Sequence, residues 1–242
     1  MKIESINNLK VKEWMKLKEK KYRDLRNEFL IEGDHLLELA KIHGKIKAII
    51  ALDDSWEVPG IPFYQVTEAI LKKISSQVSI SPVMAIVEKL EQKEVAGNVC
   101  ILDHIQDPGN LGTIIRSAVA FQFETILMSP DTVDLYNEKT IRATEGMLFS
   151  LNYIKGDLRK EIDKLKKLGY TIYGTEVVKG TSLNDIPFSK KNAVIIGNEG
   201  QGMSITLKEK CDYLINIPIA SSCESLNAGV SASIIFYEIS KK

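Results

Sequence analysis

Cysteine is scarce in this chain: Cys100, Cys211 and Cys223 are the only three, and no two form a Cys-x-x-Cys pair. An odd number at such spacing argues against both a disulfide framework and a zinc site. Histidine is equally sparse. His35, His43 and His104 are scattered, and no His/Cys/Asp set has ligand spacing, so no bound metal is expected. No apolar run approaches the ~18 residues that a bilayer span requires. The N-terminus, Met-Lys-Ile-Glu-Ser-Ile-Asn-Asn, lacks the apolar stretch of a secretory signal. A cytoplasmic protein is expected. The formal net charge is zero, so bulk charge announces no nucleic-acid partner. Internal repeats and low-complexity segments are also missing.

What is present fits a soluble globular chain: 44% hydrophobic and 26% charged residues over 242 positions, a length that suggests two domains. Charge is unevenly spread. Residues 1–30 hold nine Lys or Arg against five acids. Lys16, Lys20, Lys21, Arg23 and Arg26 form a candidate basic face for nucleic-acid phosphates, whose binding would weaken with salt. A merely solvated helix face is the alternative.

The first half alternates strand and helix, as an α/β sandwich of about 90 residues does. Residues 8–27 read as one helix with Val11, Trp14, Met15 and Leu17 on its apolar stripe. A strand closed by Gly33 follows. Asp34 is a plausible cap for a helix over 35–43. Strands are expected at 45–52, 63–66 and 83–88, with Thr67 capping a helix through 74. The charged stretch from Lys89 leads into a linker at 93–97, which divides a domain of 1–92 from one of 98–242. The second half opens with a strand at 98–103. A helix is expected from Asn110 to Phe123, then a strand at 125–128, helices at 136–146 and 158–168, and strands at 170–175, 192–196 and 213–217. A last helix spans roughly 225–240. This order suggests a mostly parallel sheet with helices on both faces.

Three segments carry the chemistry. The apolar strand 192–196 runs into Gly197-Asn198-Glu199-Gly200-Gln201-Gly202. Glycines there let the backbone take positive φ and let a ligand approach. An ordinary strand-to-helix turn would look similar, and the spacing fits a dinucleotide fingerprint poorly. The second segment is Asp107-Pro-Gly-Asn110, followed six positions later by Arg116. The third is Ile217-Pro218 followed by Ser225-Leu226-Asn227. Together, in this order, they resemble the three motifs of the SpoU/TrmH family, RNA ribose 2′-O-methyltransferases of the SPOUT class. The match covers residues 98–242. The first half resembles the substrate-binding domain found ahead of many members, which shares the RNA-binding fold of certain ribosomal proteins.

The resemblance implies S-adenosylmethionine as cofactor, a ribose 2′-hydroxyl of ribosomal RNA as acceptor, a homodimer, and a deep C-terminal trefoil knot. It implies a catalytic set of Arg116, Asn110, Glu199, Ser225 and Asn227. Thr175, Glu176, Gly197, Asn198, Glu199, Gly202, Ile217 and Leu226 would hold the cofactor, and Arg142 would meet RNA phosphate. Arg116 is the family's proposed base, but a guanidinium holds its proton too tightly for that to be easy; orienting the ribose and stabilising a developing alkoxide is the more physical role. Glu199 is expected to hold Arg116 or a nearby amide. The same chemistry on transfer RNA, or RNA binding without catalysis, are the alternatives. Ala228 and Gly229 depart from the bulkier pair usual after Ser-Leu-Asn, and the loop from Ala220 to Cys223 lacks the usual glycine.

Overall fold

The computed structural model describes residues 1–177 and 180–241. They form two compact units, Met1–Glu91 with Asp134–Phe149, and Gln92–Val133 with Ser150–Lys242.

The first unit contains β1 (Lys2–Ile3), α1 (Leu9–Lys16), α2 (Lys20–Arg26), β2 (Glu28–Glu32), α3 (Asp34–His43), β3 (Ile46–Ala51), β4 (Phe63–Val66), α4 (Glu68–Ile74) and β5 (Val83–Glu88). Its mixed sheet has the order β1-β4-β3-β5-β2, with β5 antiparallel to both neighbours. Val11, Trp14 and Leu17 pack on Ile50, Val66, Ile70, Leu71, Ile74 and Ile86 to make one core. The single helix expected over 8–27 is two. Leu17 is buried, and the carbonyls of Leu17 and Lys18 accept from the Arg23 guanidinium at 2.8 and 2.7 Å, which closes α1 where a continuous helix would have run on. Gly33, not Asp34, occupies the cap position of α3. Thr67 precedes α4 without capping it.

The second unit contains β6 (Asn98–Leu102), α5 (Pro108–Ala120), β7 (Phe123–Met128), β8 (Asn152–Lys155), α7 (Leu158–Lys167), β9 (Thr171–Thr175), β10 (Thr181–Ser182), β11 (Asn192–Ile196), α8 (Ile205–Lys208), β12 (Tyr213–Asn216) and α9 (Ala228–Ser240). Its seven strands are all parallel in the order β10-β12-β9-β11-β6-β7-β8. Val99, Ile101, Leu127, Ile172, Ala193 and Ile195 meet Leu158, Ile162 and Leu165 of α7 and Leu207 of α8. Cys100, Leu102 and Val194, which alternate with them, are buried too, as parallel strands covered on both faces must be. On α9, Phe236 stacks on Phe123 with ring centres 4.0 Å apart.

Residues 134–149 depart from the sequence reading, which put them with the second half. They belong to the first unit. Tyr136 lies 4.7 Å from Phe29 ring to ring, and the expected helix shortens to α6 (Glu138–Ala143). Beyond it Glu145 and Gly146 take positive φ. A Cβ at Gly146 would meet Leu39 Cδ1 at 2.1 Å, so that side chain would have to shift, and the positive φ there itself favours glycine.

Candidate active site

Three loops leave the carboxyl ends of β6, β11 and β12 and converge. This is where open α/β sheets bind ligands. Between them lies a cleft of about 690 Å³. Its wall includes Thr175 and Glu176 at the end of β9, Gly197 to Met203 after β11, Ile217, Ser225, Leu226 and Asn227 after β12, and Asp107 and Asn110 at the start of α5.

A hydrogen-bonded bridge joins the three loops. The Glu199 carboxylate accepts from the backbone N–H of Gln106 and of Asp107 (3.1 Å) and from the Asn110 side-chain amide (3.0 Å). Asn110 Oδ1 in turn accepts from Asn227 Nδ2 at 2.7 Å. Asn227 Oδ1 caps α9 through the N–H groups of Gly229 and Val230, while Asp107 caps α5 through that of Asn110. Each side chain thus sets a helix start and a neighbouring loop together. Glu199 holds amides and not Arg116.

Burial works to raise the Glu199 carboxyl, yet the Asn110 amide and the backbone N–H groups around it outweigh that and hold it below its ordinary 4.5. A carboxylate held low stabilises the fold above its unfolded-chain pKa. That contribution is lost as pH falls through the lower folded value. The Tm gap between wild type and Glu199→Gln is therefore expected to be widest near pH 7 and to close below about pH 4. A gap that stays constant on acidification would show that ionisation of Glu199 plays no part.

The glycine loop folds on itself. Asn198 and Gly202 exchange backbone hydrogen bonds at 3.0 and 2.9 Å, and Asn198 Oδ1 accepts from the N–H of Gly200 and of Gln201. A Cβ at Gly197 would lie 2.3 Å from the Met203 nitrogen, so no other residue fits. Gly202 has a φ of 70°. On the opposite wall Lys208 pairs with Glu176 at 2.5 Å.

The remaining expected residues divide. Ser225 lines the cleft. Arg116 does not: it sits about 120° round the helix from Asn110 at 3.6 residues per turn, exposed, with no hydrogen-bond or ion-pair partner among the described residues. Arg142 lies on α6 in the first unit and donates to Ser76 Oγ at 3.3 Å. In the basic segment Lys16, Lys20 and Lys21 are exposed. Lys20 pairs with Asp24, and Arg26 with Glu13 at 3.4 Å. Arg23 corrects the sequence reading. Its side chain is 6% exposed and locked to Asp134 at 2.6 Å, so it cannot meet a phosphate. The Gly229 departure has a packing reason: a Cβ there would come within 2.9 Å of Thr113 Cγ2, so glycine lets α9 approach α5. Sequence reasoning missed Lys208, whose only signal was a cation in an otherwise ordinary helix.

Residues 97–237 match the profile of the SpoU rRNA methylase family, and residues 8–85 match that of the MRM3-like substrate-binding domain. The chain is 37% identical over 244 residues to the 23S rRNA (guanosine(2553)-2′-O)-methyltransferase RlmP of Bacillus subtilis strain 168, with 98% of each chain covered. It aligns at a TM-score of 0.90 and 26% identity with the AdoMet-bound rRNA methyltransferase of Sinorhizobium meliloti, covering 100% of this chain and 97% of that one. The SpoU methyltransferase AviRb of Streptomyces viridochromogenes, in complex with AdoMet, aligns at 0.86 and 26%, covering 97% of this chain and 98% of that one. With more than half its length matched by one profile and a relative alike from end to end, the chain belongs to the SpoU rRNA methylase family, with an MRM3-like substrate-binding domain preceding the methylase.

Proposed function

We propose that this protein transfers the methyl group of S-adenosylmethionine to a ribose 2′-hydroxyl of ribosomal RNA. The observation that carries the reading is the Glu199–Asn110–Asn227 bridge, which draws all three motif loops around one cleft. The cleft suits the cofactor. Its volume is in the range of small-molecule sites, its walls offer Ile196, Ile215, Ile217 and Leu226 to an adenine, and the tightly folded loop at Gly197 offers backbone groups. The Lys208–Glu176 pair adds both charges for a zwitterionic tail.

When bound, S-adenosylmethionine supplies an activated methyl on a positively charged sulfur. The chain's own residues then have three tasks. The backbone of Gly197, Asn198, Gly202, Ile217 and Leu226, with Thr175 and Glu176, holds the donor. Asn110, Ser225 and Asn227 orient the ribose, with Glu199 fixing Asn110, so that the hydroxyl meets the methyl in line. Arg116, exposed and outside the cleft wall, contacts the ribose or its phosphate from the solvent side and stabilises the alkoxide that develops as the hydroxyl proton passes to water, while S-adenosylhomocysteine departs from the transferred methyl. The substrate-binding role falls to the unit formed by Met1–Glu91 and Asp134–Phe149. There Lys16, Lys20, Lys21, Arg26 and Arg142 contact phosphate, with methyl transfer left to the other unit. Phosphate contacts position RNA without reading its sequence.

Family membership supports the C-terminal trefoil knot, a homodimer and a cytoplasmic place of work. Exposed Val230 and Tyr237 on α9 also favour the dimer; sedimentation at the mass of one chain would overturn it. The test of function is incubation of the full chain with methyl-labelled donor and either ribosomal or transfer RNA. Alkali-resistant label is expected in the ribosomal fraction. Label confined to transfer RNA would move the acceptor class, and donor binding with no transfer to either would favour a protein that only binds RNA.

A further inference from the structure

The glycine loop is well bonded within itself, but those bonds do not fasten it to the sheet. Two residues outside the three motifs do. Asp103 stands at the end of β6, its N–H donating to the Ile196 carbonyl at 3.0 Å. Its side chain is 2% exposed, and Oδ2 accepts from the Ser204 backbone N–H at 2.7 Å. Ser204 is where the loop ends and α8 begins. The loop's other end is held by the next residue: Asn198 Nδ2 donates to the His104 carbonyl at 2.8 Å.

His104 reaches that carbonyl geometry through a φ of 58°, a left-handed conformation that side chains other than glycine adopt only at a cost. Three contacts hold it there. Its ring sits between carboxylates, Nδ1 2.8 Å from Asp103 and Nε2 3.4 Å from Asp131. Its N–H donates to Ser129 Oγ at 3.1 Å. A buried carboxylate is costly unless its oxygens are bonded. Asp103 spends one on the loop and the other on the imidazole that aims the second grip.

We propose that Asp103 and His104 are positioning residues that clasp the glycine-rich loop at both ends and thereby set the affinity for S-adenosylmethionine. The proposal rests on reading the cleft as the donor site. Neither residue is placed against the donor; each acts through the loop that touches it.

The test measures the donor Kd by calorimetry and steady-state KM and kcat, all on the full-length chain. His104→Ala removes the ring contacts and leaves a left-handed alanine, so the carbonyl should swing from Asn198. About tenfold weaker donor binding is expected, as left-handed strain of this size implies. kcat at saturating donor should stay within about twofold, because the Glu199 bonds to Gln106, Asp107 and Asn110 hold the acceptor side independently of His104. His104→Gly tolerates the same backbone and should recover most of the affinity. Asp103→Asn, which weakens the grip on Ser204, should raise KM for the donor in the same selective way. Wild-type affinity in His104→Ala, an equal loss in His104→Gly, or a fall in kcat with KM unchanged would each overturn the clasp. Should Asp103→Asn not fold, the His104 pair decides alone, since that ring is 45% exposed. A wild-type chain that binds no donor would overturn the reading of the cleft along with the clasp; tight donor binding indifferent to His104 overturns only the clasp.

Discussion

Arg116→Ala is expected to lower kcat at saturating donor and RNA by about 10²–10³-fold, the usual cost of removing one group that stabilises developing negative charge. Donor affinity should remain within a few-fold, because Arg116 does not line the cleft. Stability should move by less than about 0.5 kcal/mol, since an exposed side chain without partners among the described residues is being removed. Arg116→Lys should also fail. A guanidinium presents a planar fork of five donors, and an ammonium on a flexible stem does not reproduce it. Calorimetry with the donor and turnover on the natural RNA measure the two sides separately. Near-normal turnover in the lysine variant would show that a point charge suffices. A matching loss of donor affinity in the alanine variant would place Arg116 on the donor side.

The second large effect concerns stability and separates cations that look alike in sequence. Arg23→Ala strips three acceptors at once: the Asp134 carboxylate and the carbonyls of Leu17 and Lys18. Asp134 is only 15% exposed. Removing one partner of a buried ion pair costs about 3–5 kcal/mol, which for a chain of this size corresponds to a Tm loss of roughly 6–20 °C. Replacing both partners together, Arg23→Met with Asp134→Leu, should recover much of that loss, because no charge is then left buried alone. The exposed trio Lys16, Lys20 and Lys21 should behave in the opposite way. Changing all three to alanine should leave Tm nearly unaltered and flatten the salt dependence of RNA binding by about 0.7 in log–log slope per lost contact to single strands. Thermal scans and RNA titrations at several salt concentrations check both. An Arg23→Ala protein as stable as wild type would make the pair a surface feature, and an unchanged slope in the lysine variant would leave those charges merely solvated.

How much of this could be read from the chain depends on the range of the forces involved. β5 and β11 fall where their short apolar runs put them, because a strand buried on both faces writes its burial into consecutive residues; β4 also falls at its expected residues, though only Val66 of it is fully buried. The edge strand β8 was missed. Asn152-Tyr-Ile-Lys is half-buried throughout and leaves too weak an alternation to notice. The residues of the cleft were legible as three motifs, but the Glu199–Asn110–Asn227 pairing was not, since Asn110 and Asn227 are 117 positions apart. Arg23 was misread for the same reason: its partner lies 111 residues downstream, and nothing local distinguishes a buried arginine from the solvated cations around it. Helical periodicity found α6, yet periodicity cannot say which core a helix joins. His104 reads as structural in sequence, since its slot is none of the motif positions and only glycine advertises a left-handed backbone.

The placement of residues 134–149 has a consequence for the order of synthesis. Phe29 awaits Tyr136, and Arg23 awaits Asp134. Domains generally fold as units, N-terminal ones first, while the chain is made at about 5–20 residues per second. Here the N-terminal unit cannot close when Glu91 emerges, because its last pieces are still untranslated up to Phe149. For roughly 3–12 seconds at that rate the growing chain carries an unfilled aromatic niche and an unneutralised, half-desolvated arginine. β6, α5 and β7 are made in the interval. Two cores are therefore open on the nascent chain at once, and the one begun first is completed only from within the stretch that encodes the other.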